Sequence, residues 1–260
     1  MFQSVPEITR HRGVHDADRI AVSAPTRDWT YGDIDRDSNR VAQGLKTLGI
    51  GVGDRVAALT RQTPECLILF MAASKLGAVL APLNWRLAAA ELDYVVNHSE
   101  AKLLMADAAF LDTVAKVRMT HARTVVTTEP GRPDSLLAWA SAFAAIDPGY
   151  RPAVGETALQ LYSSGTTGKP KGVELSHANL LFQANVISGH FGYRRGKPVV
   201  LLDALPTFHV SGIVNTLTIM HEGALTVARP EFVADEIADT IVRHGVTNTF
   251  LVPTMMRMLA

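Results

Sequence analysis

The chain has 260 residues, 47% hydrophobic and 19% charged, a globular composition with ample apolar material for a core in one large domain or two small ones. Its formal net charge of +0 gives no footing for nucleic acid or an acidic membrane surface. The single cysteine, Cys66, excludes an intrachain disulfide framework and fits a reducing cytoplasm.

The first seven residues lack a basic region followed by an apolar one, so no secretory signal is visible. Residues 1–28 read as polar and irregular, with Pro6, Gly13 and Pro25. Thr30-Tyr-Gly-Asp33 reads as a capping box opening a helix to about Leu48, with Gly49 as its stop. Arg55–Thr60 reads as a strand. Thr63-Pro64-Glu65 starts a helix that runs to Leu76 and stops at Gly77. Its Cys66–Ala73 apolar run is far short of the ~20 residues that a membrane span needs, and makes Cys66 a buried structural thiol. Ala78–Ala81 is the next strand, closed by Pro82.

The alternation continues. A helix near Ala88–His98 precedes the strand Lys102–Met105, and a helix near Phe110–Val117 precedes the strand Thr124–Thr127. Strands separated by helices of this length predict an α/β fold with right-handed crossovers and mainly parallel pairing, flanked by helices. Glu129–Pro133 and Asp147–Gly155 are turn-rich and bracket a helix near Ser135–Phe143. They read as loops within one unit, not as a domain boundary.

An apolar run, Ala158–Leu161, then ends in Leu161-Tyr-Ser-Ser-Gly-Thr-Thr-Gly-Lys-Pro-Lys-Gly172. Gly165 and Gly168 let several backbone N–H groups converge on one anion. Ser163, Ser164, Thr166 and Thr167 add hydroxyl donors, Lys169 and Lys171 add charge, and Pro170 stiffens the segment. This is the chemistry of a polyphosphate cradle; the plainer alternative is a solvated, flexible loop. The Walker pattern fails, because Gly168-Lys169 is followed by Pro170 and Ser163 stands where the first glycine is needed. The dinucleotide fingerprint fails too, for lack of a third glycine after Gly49, Gly51 and Gly53.

Beyond it, Val173–Leu175 reads as a short strand and Ser176-His-Ala-Asn179 caps a helix to about Gly189. Tyr193–Pro198 is a basic turn and Val199–Leu205 an apolar strand ended by Pro206. A helix near Ile213–His221, a strand Ala224–Val227, a helix Val233–His244, a strand Thr247–Leu251 and a helix from Pro253 complete the order. There is no internal repeat, and the scattered histidines form no metal-ligand pattern. No Gly-x-Ser-x-Gly or His-Glu-x-x-His motif supports a hydrolase.

Tyr162–Gly172 resembles the phosphate-binding signature of the adenylate-forming (AMP-binding) superfamily, in its acyl-CoA synthetase and fatty-acid-CoA ligase branch. Ser163 departs from the usual threonine but keeps the hydroxyl. Weaker landmarks fall in the same order as in that family: Trp29-Thr-Tyr31, Gly53–Val56, Leu76–Asn84, Arg86-Leu87 with Glu91–Tyr94, Leu205–Gly212, and Val252-Pro-Thr-Met255. The resemblance implies ATP-dependent activation of a carboxylic acid, fatty or aryl, to an acyl-adenylate and then to a coenzyme A thioester, with ATP, Mg²⁺ and coenzyme A taking part. It implies that Ser163, Ser164, Gly165, Thr166, Thr167, Gly168, Lys169, Lys171 and Gly172 hold the ATP phosphates, with Ser163 also nearest the metal. Lys171 is the firmer of the two lysines, since the family varies at Lys169. Phe208, His209 and Gly212 would line the acyl and adenylate pocket. No general base is required, because a carboxylate is already an anion at neutral pH.

The family's Tyr-Gly-x-Thr-Glu and Thr-Gly-Asp segments and its closing catalytic lysine are not in residues 1–260. The resemblance therefore covers an incomplete N-terminal large domain, not expected to be active alone, with no confirmed catalytic residue. The missing C-terminal half or self-association would cover exposed apolar surface. The alternative is a non-catalytic nucleotide-binding or interaction module.

Overall fold

Alternating strands and helices settle into two sheets. The computed structural model describes residues 2–122, 124–163, 169–193 and 198–259. The chain opens with α1 (Val5–His15), β1 (Ile20–Ser23), β2 (Asp28–Thr30) and α2 (Tyr31–Thr47). Then come β3 (Arg55–Leu59), α3 (Pro64–Ser74), β4 (Val79–Pro82), α4 (Ala89–His98) and β5 (Leu103–Ala106). A 3-10 turn (Ala108–Phe110), α5 (Leu111–Val114), β6 (Thr124–Thr127), α6 (Leu136–Ala140), β7 (Thr157–Ser163) and β8 (Lys171–Ser176) follow. The last part holds α7 (His177–Phe191), β9 (Val200–Asp203), α8 (Val210–Glu222), β10 (Leu225–Ala228), α9 (Ala234–His244), β11 (Asn248–Thr249) and α10 (Pro253–Leu259).

One sheet has the order β11-β9-β10-β1-β2 and the other β6-β5-β3-β4-β7-β8. Pairing is parallel within both, except that β1 with β2 and β7 with β8 are antiparallel. The expected mainly parallel, helix-flanked α/β architecture is therefore what forms. Alternation along each strand sends residues to opposite faces. Val56 and Ala58 join the large core shared with α1, α2, α3, α7 and α8, while Ala57 and Leu59 face Leu92, Val95 and Val96 of α4 on the other side. Likewise Leu201 and Leu202 divide between two clusters, the second holding Ile237 of α9. The helices α1, α2, α3, α7 and α8 thus pack between the sheets.

Helix α3 explains the apolar run around Cys66. Every residue from Pro64 to Ser74 is buried, as expected of a helix that is hydrophobic all round. Burial pushes the Cys66 thiol up to about 12, so it is inert. At the end of this helix the fully buried Lys75 ammonium donates to Asp35 Oδ1 at 2.6 Å, Ser38 Oγ at 2.8 Å and Asn39 Oδ1 at 2.6 Å. These bonds offset the desolvation of a buried charge and pin α3 to α2. The predicted capping box at Thr30 is formed in both directions with Asp33.

Residues 1–28 depart from the expected irregular segment. Ser4 precedes a helix with Pro6 in its first turn, and Val5 and Ile8 are fully buried. Then Val22 and Ser23 pair with Thr226 and Val227, joining β1 to the far end of the chain. Strand β8 is longer than the expected Val173–Leu175 and runs back antiparallel along β7, so that Ser163 and Lys171 of the phosphate motif are partners at the end of the ladder. Helix α8 begins at Val210 instead of Ile213, α6 is shorter than expected, and β11 pairs over two residues only. Of the basic turn, Arg194–Lys197 lie outside the described residues.

Candidate active site

Two segments carry the predicted site residues. The first is the β7–β8 hairpin. Ser163 stands opposite Lys171 and Tyr162 opposite Gly172 at the last rungs of the ladder. Ser163, Lys169, Lys171 and Gly172 are exposed. The other members of the motif, Ser164, Gly165, Thr166, Thr167 and Gly168, lie outside the described residues. Gly172 leaves room for a neighbour: a Cβ there would stand 2.6 Å from the Gln160 side-chain nitrogen on the adjacent strand, so that side chain would have to swing aside. Gln160 donates to Tyr162 Oη at 2.9 Å, and burial pushes the Tyr162 phenol up to about 12, so it keeps its proton.

The second segment follows β9. Asp203 Oδ1 accepts the Leu205 N–H at 3.1 Å, and the Pro206 carbonyl accepts the His209 N–H at 3.1 Å. This folds the chain into a tight turn that delivers His209 to the N-terminus of α8. Gly212 sits against the turn, where a Cβ would fall 2.3 Å from the Pro206 carbonyl oxygen. Thr207 Oγ1 donates to the Thr60 carbonyl at 3.2 Å, tying the turn to the end of β3 in the other sheet.

The pocket residues anticipated here part ways. The Phe208 ring is 5% exposed and packs edge-on against Trp85 at 6.2 Å, with the Arg86 guanidinium 5.8 Å from its centroid. His209 is exposed. Burial first, then the Arg86 charge, lower its basicity below the usual histidine value, so its imidazole is neutral at pH 7. Gly212 contributes backbone only, its carbonyl accepting from Gln62 at 3.2 Å.

Between the base of the hairpin and α8 lies an apolar cleft of about 750 Å³, within the size range of small-molecule sites; none of Ser163, Lys169, Lys171, Gly172, Phe208, His209 and Gly212 lines it. Leu175, four positions beyond Lys171, borders one side, and Val210, next to His209, borders the other. Ser211, Val214 and Asn215 of α8, Phe182 and Gln183 of α7, and Phe250 complete its walls. Sequence reasoning missed these α7 residues and Phe250. The one signal was an apolar residue, Phe182, on a helix face with nothing assigned to cover it; it is 69% exposed. Among the described residues no three His, Cys, Asp or Glu side chains could together hold a metal ion.

The family model for AMP-binding enzymes matches residues 9–260. The fatty acid–[acyl-carrier-protein] ligase ScoC of Streptomyces coeruleorubidus is 31% identical over 263 residues, which span 99% of this chain and 50% of that protein. The indoleacetate–CoA ligase of Aromatoleum aromaticum is 33% identical over 261 residues, spanning 97% of this chain and 50% of that one. The solved structure of ATP-bound MatB from Rhodopseudomonas palustris superposes with a TM-score of 0.86 at 30% identity, over 98% of this chain and 51% of that chain. The chain belongs to the AMP-binding enzyme family. It spans about half the length of the curated relatives it matches.

Proposed function

We propose that residues 1–260 form part of the N-terminal large domain of an ATP-dependent acid–thiol ligase acting on an alkyl or aryl carboxylic acid. The observation that carries this reading is the placement of the apolar cleft between the strand leaving the phosphate hairpin and the turn that carries His209. An acid lying there with its tail among Phe182, Val210, Val214 and Phe250 would direct its carboxylate toward the two segments. The names of the relatives, a fatty-acid ligase and an indoleacetate ligase, support the same substrate class.

In the first step the carboxylate oxygen attacks the α-phosphorus of ATP. The bond to the bridging oxygen breaks, and pyrophosphate leaves with the electron pair. In the second step a thiol, coenzyme A in this reading, attacks the acyl carbon, loses its proton and expels AMP. Negative charge grows on the departing pyrophosphate. Ser163 and Lys171, partners across the hairpin ladder, are assigned to stabilise it through their hydroxyl and ammonium, together with Ser164–Gly168 and with Lys169 and Gly172. Positioning and charge stabilisation dominate the protein's part in phosphoryl-type transfer. Neutral His209 is assigned to the wall beside the acyl carboxylate, with Phe208 packed behind it and Gly212 shaping the turn.

The described residues supply no carboxylate cluster for a resident metal. Among the described residues, Ser163 is the one assigned to lie nearest magnesium at this site. Bound mainly by phosphate oxygens and water, the ion would supply charge neutralisation of the triphosphate. A cytoplasmic location belongs to the same reading, supported by the single, buried, free cysteine. Among the described residues no helix is long and apolar enough to cross a membrane.

The test is carboxylate-dependent ATP–pyrophosphate exchange, measured on the protein completed with its C-terminal half, across alkyl, aryl and amino acids. Exchange with alkyl or aryl acids supports the reading. Absence of exchange with every acid, alongside nucleotide binding, would favour a non-catalytic nucleotide-binding module instead.

A further inference from the structure

We propose that Tyr94 and His98 of α4 are positioning residues that fasten both described flanks of the phosphate hairpin, His98 at the entry through Tyr162 and Tyr94 at the exit through Pro170 and Lys169. The proposal rests on the phosphate-binding reading of that hairpin.

Tyr94 and His98 are four residues apart and so share one face of α4, with ring centroids 5.4 Å from each other. At the entry, Tyr162 Oη lies 2.9 Å from Gln160 Nε2 and 3.0 Å from His98 Nδ1. The amide nitrogen donates, so Tyr162 accepts there, and the same hydroxyl pairs with His98 Nδ1 in the direction that the imidazole tautomer sets. At the exit, Tyr94 Oη donates to the Pro170 carbonyl at 3.4 Å, a long bond. The Lys169 ammonium stands 5.6 Å from the centre of the Tyr94 ring, within cation–π range. One helix face therefore touches the described residues of the motif on both sides of Ser164–Gly168.

The hairpin needs such a restraint. Strand β8 is at the edge of its sheet and pairs with β7 alone, the ladder ending at Ser163 and Lys171. Lys171 to Glu174 are exposed. Edge hairpins with exposed backbone open at low free-energy cost. A phosphate site made of hydroxyl and ammonium groups works only when those groups are already in place. Helix α4 itself is anchored, with Leu92, Val95 and Val96 buried against the second sheet, and so offers a fixed wall.

The experiment uses His98→Ala, His98→Asn, Tyr94→Phe, Tyr94→Leu and Lys171→Ala. Asparagine at 98 returns a hydrogen-bonding amide close to where Nδ1 stands; phenylalanine at 94 keeps the ring for Lys169 and drops the hydroxyl. Two quantities are read on the protein completed with its C-terminal half: hydrogen exchange of peptides covering 160–163 and 171–174, and the ATP KM in carboxylate-dependent pyrophosphate exchange. His98→Ala and Tyr94→Leu are expected to speed exchange and to raise the ATP KM, each by about twofold to tenfold, the range of one lost hydrogen bond. The kcat at saturating ATP should change less than the KM. His98→Asn should recover most of the loss, and Tyr94→Phe should fall between wild type and Tyr94→Leu. Lys171→Ala should raise the KM without speeding exchange. If Lys171→Ala is impaired while the α4 variants leave the ATP KM unchanged, the positioning role is overturned, whether or not hydrogen exchange moves. If Lys171→Ala is itself unimpaired, the phosphate-binding reading fails.

Discussion

Gln62 and Asp203 join the two sheets beneath the His209 turn: the Gln62 side-chain nitrogen donates to Asp203 Oδ2 at 3.1 Å. Gln62 follows β3 in one sheet and Asp203 ends β9 in the other. Thr216 Oγ1 donates to the same carboxylate oxygen at 3.1 Å. The node is dry, Asp203 being 1% exposed, and every contact to its carboxylate is a donor.

Burial raises the Asp203 carboxyl from 3.8 to about 7, against the Leu205, Thr216 and Gln62 hydrogen bonds that favour its ionised form. A folded value above the unfolded one means that the folded state holds a proton that the unfolded state has released. The contribution is fully present below pH 4 and is lost as pH rises to 7. Glu65, raised to about 7 by burial, adds to this slope. His177, lowered to about 4 by burial, opposes it: its contribution is present above pH 6.5 and lost as pH falls toward 4. The difference between wild type and Asp203→Asn isolates the Asp203 part. Urea unfolding should show wild type gaining on the variant between pH 8 and pH 5. A constant difference would place the Asp203 value near its unfolded one.

Gly212 and Gly189 make opposite predictions. A Cβ at 212 would meet the Pro206 carbonyl oxygen at 2.3 Å, a backbone atom that cannot swing aside. Gly212→Ala should cost about 1–3 kcal/mol, the usual range for overpacking, and should impair acid activation by shifting the turn before His209. Gly189 lies within α7 with nothing near its added Cβ. Gly189→Ala should stabilise by about 0.5–1 kcal/mol. Both are read from denaturant midpoints.

Ser211 and Asn215 line the apolar cleft one helical turn apart on α8. Ser211→Phe or Asn215→Phe should shorten the space for the acid. The expected result is a fall of about tenfold or more in kcat/KM for long alkyl acids, with short acids much less affected. Equal losses for all chain lengths would remove the cleft as the acid site.

Much of this was legible in the amino-acid order, for identifiable reasons. Thr30 and Thr63 announce α2 and α3 because capping is local chemistry, and both side chains accept the expected N–H. Helix α1 was hidden because its buried residues are few and its remaining surface is polar. Strand β8 was half hidden because an edge strand keeps an exposed row, leaving only Val173–Leu175 as an apolar signal. Gly212 disguised the first turn of α8, where a glycine is needed for close approach to Pro206 and not to end a helix. The pairing of β1 with β10 joins residues some two hundred positions apart, which no local pattern encodes. At the site, the phosphate motif stood out as a dense run of donors, whereas the cleft walls on α7, the α4 contacts and the Gln62–Asp203 node depend on packing between distant elements.

The central claim is that the hairpin carrying Ser163 and Lys171 holds the phosphates of ATP during acid activation. Carboxylate-dependent ATP–pyrophosphate exchange by wild type and Lys171→Ala, each completed with the C-terminal half and with folding checked by thermal unfolding, tests it most directly. Loss of one charge-assisted contact to the phosphates predicts a fall in kcat/KM for ATP of about tenfold or more in a correctly folded variant. Undiminished exchange by Lys171→Ala would contradict it.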